Sequence, residues 1–162
     1  MKRPLINLQF RPTLELLSPT RDFVAELFKS HWMSEDVVYR IVVTLHELLE
    51  NVMKYSTDGI AHLSADLAQA DRETILCLRV SNECVPERLS TLRGEFDSMR
   101  NGADANSYYT ALMQKNAYRT DGSGLGLARI WAEAQMNISC EIAGSKATIV
   151  AQTQVDQVAP AP

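Results

Sequence analysis

The chain has 162 residues, of which 46% are hydrophobic and 22% charged, and a formal net charge of −4. That length and balance suit one globular domain with a sizeable core, while the interspersed acidic surplus argues against a general nucleic-acid surface. No apolar run is long enough to span a bilayer, no signal-peptide block opens the chain, and three cysteines lack CxxC spacing, so a reduced, cytoplasmic protein without a thiolate metal site is expected.

Leu5 to Phe10 alternates as a short strand. Residues 13–20 read as a connector, with Pro19 just inside a helix that runs to Trp32 and buries Phe23, Val24, Leu27 and Phe28. Ser34 then caps a second helix, followed at once by Glu35 and Asp36 where the helix dipole favours negative charge. Val38, Ile41, Val42, Leu45, Leu48, Leu49 and Val52 recur at helical spacing and define its buried stripe. Glu47, Glu50, Asn51 and Lys54 gather on the opposite side of the same wheel. Such a face is ordinarily just solvated. A carboxylate, an amide and an ammonium one turn apart are also a candidate site, if a second signal supports it.

Gly59 suits a left-handed stop after this helix. Residues 60–67 and 74–81 alternate as a strand pair across a polar turn at 68–73, and Pro86 closes the second strand. From Glu87 to Asn116 helical patches mix with loop: Leu89, Leu92, Phe96 and Met99 offer one apolar face, and Tyr108, Tyr109, Leu112 and Met113 another. Leu125 to Gln135 reads as a helix, and 137–142 with 147–153 as a final hairpin around Gly144. Residues 154–162 form a patternless tail, leaving 1–153 as the single domain. Helices and hairpins segregated in this order predict an α+β fold, a two-layer sandwich with helices on one face of a mixed, mostly antiparallel sheet.

The second signal is Asp121-Gly122-Ser123-Gly124-Leu125-Gly126-Leu127, three glycines at alternate positions before a helix. Lacking Cβ atoms, such a turn lets backbone N–H groups close on an anion, although a glycine-rich turn capping a helix has the same look. No Lys follows as a P-loop requires, and no strand–turn unit with a distant acid supports a dinucleotide fingerprint. His46-Glu47 fails the zinc-protease pattern because position 50 is Glu50. His31, Trp32 and Trp131 are assigned to packing.

Together, the stretches 47–56 and 122–127 resemble the N box and second glycine box of the GHKL ATPases, whose nucleotide domain is the Bergerat sandwich. The likeness runs from the first strand to the last hairpin and is closest to the small stand-alone members, the anti-sigma-factor serine kinases and SiaB-type protein kinases. The resemblance implies that Asn51 binds Mg²⁺, which bridges the phosphates of ATP, that Glu47 acts as general base, and that Lys54 lies near the phosphates. It implies a phosphate-facing turn at Gly122, Ser123, Gly124, Leu125 and Gly126, and an ATP lid over about 87–120. It also sets Gly144 and Thr148 in the place of a Gly-Thr strand near the adenine. One departure stands out: the family's adenine-binding DxGxG corresponds here to residues 80–86, with neither glycine nor Asp. Asn82 is the best substitute, a neutral acceptor weaker than a carboxylate by about 1 kcal/mol.

The resulting expectation is an ATP- and Mg²⁺-dependent kinase that phosphorylates a Ser or Thr of a small partner protein. Neither nucleic acid nor membrane is an expected partner, and a homodimer is left open. The alternative is a non-catalytic interaction module that keeps the fold and binds nucleotide weakly or not at all.

Overall fold

The computed structural model describes residues 5–30, 33–70, 73–118 and 124–155. The elements, in order, are β1 (Ile6–Phe10), α1 (Leu14–Ser30), α2 (Glu35–Tyr55), β2 (Ala61–Ala70) and β3 (Glu73–Glu83). There follow α3 (Pro86–Arg100), α4 (Ala105–Asn116), α5 (Gly126–Ala132), β4 (Asn137–Ala143) and β5 (Lys146–Val155). The five strands form one sheet in the order β1-β2-β3-β5-β4. Every pairing is antiparallel, so the sheet is not the mixed one expected. The α+β two-layer sandwich is as expected.

Strand parity decides which side chains meet the helices. Leu76, Leu78 and Val80 of β3 join the core, as do Ala147, Ile149 and Ala151 of β5. Their alternates, among them Arg79, Ser81 and Thr148, therefore face away from the helical layer. Helix α2 lies at the centre of that layer. Ser34 accepts a hydrogen bond from the Val37 N–H at 3.3 Å, the N-cap that the sequence suggested. Ile41, Leu45 and Leu49 are fully buried, with Leu48 and Val52 nearly so.

Several boundaries differ from expectation. Helix α1 begins at Leu14 with Pro19 inside it; the missing Pro N–H costs one backbone bond near the helix start, and burial of Leu17, Val24 and Phe28 outweighs it. Phe23, expected in the core, is 54% exposed. Helix α2 ends at the Ser56 cap, and left-handed Gly59 (φ 69°) belongs to the turn beyond it. The polar turn expected at 68–73 is mostly strand, because cross-strand pairs continue to Ala70↔Glu73. Residues 86–116 are two helices rather than patches: α3 places Leu89, Leu92, Phe96 and Met99 in the core, whereas α4 buries none of its residues. The tail expected over 154–162 is strand at its first two residues, because Gln154 and Val155 still pair with Ile75 and Thr74; residues 156–162 lie outside the described residues, as do His31 and Trp32.

Two substitutions on α2 test this packing. Leu49→Ala should cost about 2–5 kcal/mol through lost transfer energy and a cavity, read as a lower denaturation midpoint at unchanged slope. Thr44 is fully buried and its hydroxyl finds no hydrogen-bond partner among the described residues. Thr44→Val should therefore raise stability, by about 1 kcal/mol, in the same titration.

Candidate functional site

Glu47 was expected on the solvated side of α2, yet it is only 9% exposed. The cause is α5, which packs across that face. Arg129 of α5 donates from Nη1 to Glu47 Oε1 at 3.0 Å. The other carboxylate oxygen, Oε2, would lie 2.8 Å from a Cβ at Gly126. The space beside Gly126 is thus taken by the Glu47 carboxylate end, which a Cβ there would have to displace from its place beside Arg129.

Arg129 is shared. Its Nε donates to Glu133 Oε2 at 2.7 Å, one turn along α5. That bond, with lesser help from Glu47, holds the guanidinium well above its usual pKa. Hydrogen bonding to Arg129 in turn keeps the Glu133 carboxyl below its ordinary 4.5, and the Tyr109 hydroxyl of α4 adds to this. Burial, followed by the bond to Glu133, pushes Tyr109 up. A chain of contacts therefore links α4, α5 and α2 through Tyr109, Glu133, Arg129 and Glu47.

Beside this chain lies a cavity of about 230 Å³, bordered by Glu47, Glu50, Asn51 and Lys54 of α2 and by Gly124, Leu125 and Gly126. The two stretches singled out in the sequence therefore meet. Asn51 and Lys54 have no side-chain hydrogen bond or ion pair among the described residues, which leaves an amide and an ammonium available to a ligand. Glu50 faces His46 at 3.4 Å. Gly124 is left-handed (φ 93°), a conformation costly for other residues. Among the described residues a Cβ there would meet only the Asn116 amide, at 3.6 Å. Gly124 also borders a second cavity, of about 430 Å³, between α3, α4 and α5.

The remaining expected residues lie elsewhere. Gly122 and Ser123 are outside the described residues. Thr148 is half-buried on the sheet face turned away from the helices, because its neighbours Ala147 and Ile149 face them. It is not brought to the cavity. Asn82 faces the helical side, but its amide is turned along its own strand end, donating to Glu83 O at 3.2 Å and Cys84 Sγ at 3.1 Å. Near Asn51, Arg88 of α3 stacks over the Tyr55 ring at 3.8 Å and pairs with Glu95 at 3.1 Å. The gap left between Asn51, Tyr55, Arg88 and Gly124 is about 10 Å³. Arg129, Tyr109 and Arg88 carry no motif. Only the i,i+4 pair Arg129–Glu133 could have been read from spacing.

No protein-family model matches the sequence, and no curated sequence relative does. Among solved structures, a chain of the SiaB–SiaC complex from Pseudomonas aeruginosa is similar over 94% of this chain and 91% of its own length. The TM-score is 0.67 at 13% sequence identity. The likeness is one of fold.

Gly126→Ala should lower stability by about 1–3 kcal/mol, because the new methyl group collides with a held carboxylate. The loss should shrink when Glu47→Ala is combined with it, a non-additivity that a double-mutant cycle in denaturant measures. The Glu133 pairing should contribute above its ordinary pKa of 4.5 and fade as pH falls below it, since the folded-state value is depressed. Arg129→Gln should flatten that acid-side fall in melting temperature.

Proposed function

We propose that the chain is a Mg·ATP-dependent protein kinase of the stand-alone GHKL type, which phosphorylates a Ser or Thr of a small partner protein and thereby switches that partner's interactions. The observation that supports it is the meeting of Glu47, Asn51 and Lys54 with the Gly124–Gly126 bend around one cavity. The donor set fits the phosphate end of such a ligand: one neutral amide oxygen, one ammonium with no ion pair among the described residues, and a bend with space at Gly124. Mg²⁺ takes few protein ligands when phosphates and water complete its shell. Bound Mg·ATP would supply the phosphoryl group and neutralise its charge. Within the chain, Asn51 would hold the metal through its amide oxygen and Lys54 would face the phosphates. Glu47, oriented by Arg129, would accept the proton of the acceptor hydroxyl. The fold neighbour belongs to a two-protein complex, which is in keeping with a partner protein as substrate. No helix among the described residues is long and apolar enough to cross a membrane.

A second reading, an interaction module that does not turn over nucleotide, draws on the other end of the site. There Asn82 offers no carboxylate to an adenine amino group, and Arg88 on Tyr55 fills the space beside Asn51. A thermal-shift titration with ATP, ADP and GTP, with and without Mg²⁺, separates the two. The kinase reading expects saturable, Mg-dependent stabilisation by adenine nucleotides, about 2.7 kcal/mol at a hundredfold excess over Kd. A flat response at millimolar ligand supports the module. Asn51→Ala should abolish the Mg-dependent part while leaving the circular dichroism spectrum and the ligand-free melting temperature unchanged.

A further inference from the structure

The largest of the described cavities, about 680 Å³, lies away from Asn51. It runs between α3 and β4, with Trp131 of α5 at one side. Its border includes consecutive residues Asn137, Ile138, Ser139 and Cys140. Side chains of consecutive strand residues point to opposite faces, so the cavity reaches the backbone edge of β4 and is not confined to one face. Among the described residues that edge is open: β4 is the last strand of the sheet and pairs there only with β5. Half of its backbone N–H and C=O groups point outward with no strand among the described residues to meet them. Protective devices are sparse, since β4 reads Asn-Ile-Ser-Cys-Glu-Ile-Ala, with one charge and no proline.

The chemistry of the walls is specific. Ile138, Cys140 and Ile142 are only partly buried although they face the helical side, leaving an apolar floor beside Phe96 and Met99 of α3. Arg93 and Arg100 stand on the α3 rim, against a single carboxylate, Asp97, which lies 3.4 Å from Arg100. Arg93 makes no ion pair among the described residues. In a chain of net charge −4 the groove is locally cationic.

We propose that this groove binds an extended segment of a partner protein, which adds to the sheet as a strand beside β4. The segment places alternate apolar side chains against Ile138, Cys140 and Ile142 and carries Asp or Glu opposite Arg93. Backbone pairing along the edge supplies affinity, and the apolar floor with the cationic rim supplies selectivity. At a strand rise of about 3.3 Å per residue, β4 offers an edge on the order of 23 Å, enough for a short linear motif. The inference rests on the partner-binding half of the function proposed above and not on its nucleotide chemistry. A chain that fails to respond to ATP can still show it.

The test is selection of a displayed library of random peptides, about ten residues long, against the purified full chain. The expected binders alternate apolar residues and carry Asp or Glu. Arg93→Glu should weaken them about tenfold or more while leaving the melting temperature of the chain unchanged. Methylating alternate backbone nitrogens of a binder on its pairing edge should abolish binding, and methylating the other set should not. This readout alters only the peptide and cannot be mistaken for unfolding. Three results would overturn the proposal: no binder recovered, binders indifferent to both changes, or binders whose apolar residues recur at helical spacing.

Discussion

The contact between Glu47 and α5 is the constraint on which the site depends. Burying a carboxylate is costly unless it is paired and hydrogen-bonded. Here the pairing comes from Arg129 at 3.0 Å, and the carboxylate end lies in the space beside Gly126. The two features fix how near the start of α5 comes to the middle of α2. That distance, in turn, brings Gly124 to the same cavity as Asn51 and Lys54. A looser contact would separate the amide and ammonium from the glycine bend.

The contact also decides which charges remain for other work. Arg129 is occupied by two carboxylates, Glu47 and Glu133, so it adds little net positive potential to the cavity. Arg88 is likewise committed, to Glu95 and to the face of Tyr55. Lys54, exposed and without an ion pair among the described residues, is the basic group on α2 left facing the cavity. An ammonium on a flexible stem suits an anion that arrives and leaves, whereas the planar, hydrogen-bonded guanidinium of Arg129 suits a fixed structural link. The two cations thus divide between holding the site together and meeting what enters it.

The centre of this arrangement was legible in the sequence because it is built locally. Ser34 followed by two acids and a 3.6-residue apolar period defines α2 without reference to the rest of the chain. The glycine cluster is equally local. Features set by distant partners were not legible. Arg129 and Glu47 are 82 residues apart, and nothing in either segment announces the other. Thr148 illustrates a different limit: its place in a strand was readable, but its face followed from register with β3, where one residue's shift would reverse it. Helix α1 was misplaced at its start because proline is a strong prior for a first turn, and tertiary burial of Leu17 overrode it. Helix α3 was underread because its polar residues are many, although its four apolar residues were correctly grouped.

Helix α3 gives the two proposed surfaces a common wall. Its first turn carries Arg88, which lies against Tyr55 beside Asn51; Arg93 and Arg100, farther along, line the groove on β4. A helix of 15 residues is about 22 Å long, and Leu89, Leu92, Phe96 and Met99 seat it on the core as one body. The same helix therefore borders both the groove and the gap beside Asn51. If a segment seated along β4 and a ligand beside Asn51 each displace α3, the two are coupled through it. Linkage then requires the effect to be mutual: whatever the groove occupant does to ligand affinity, the ligand does to the occupant's affinity by the same factor.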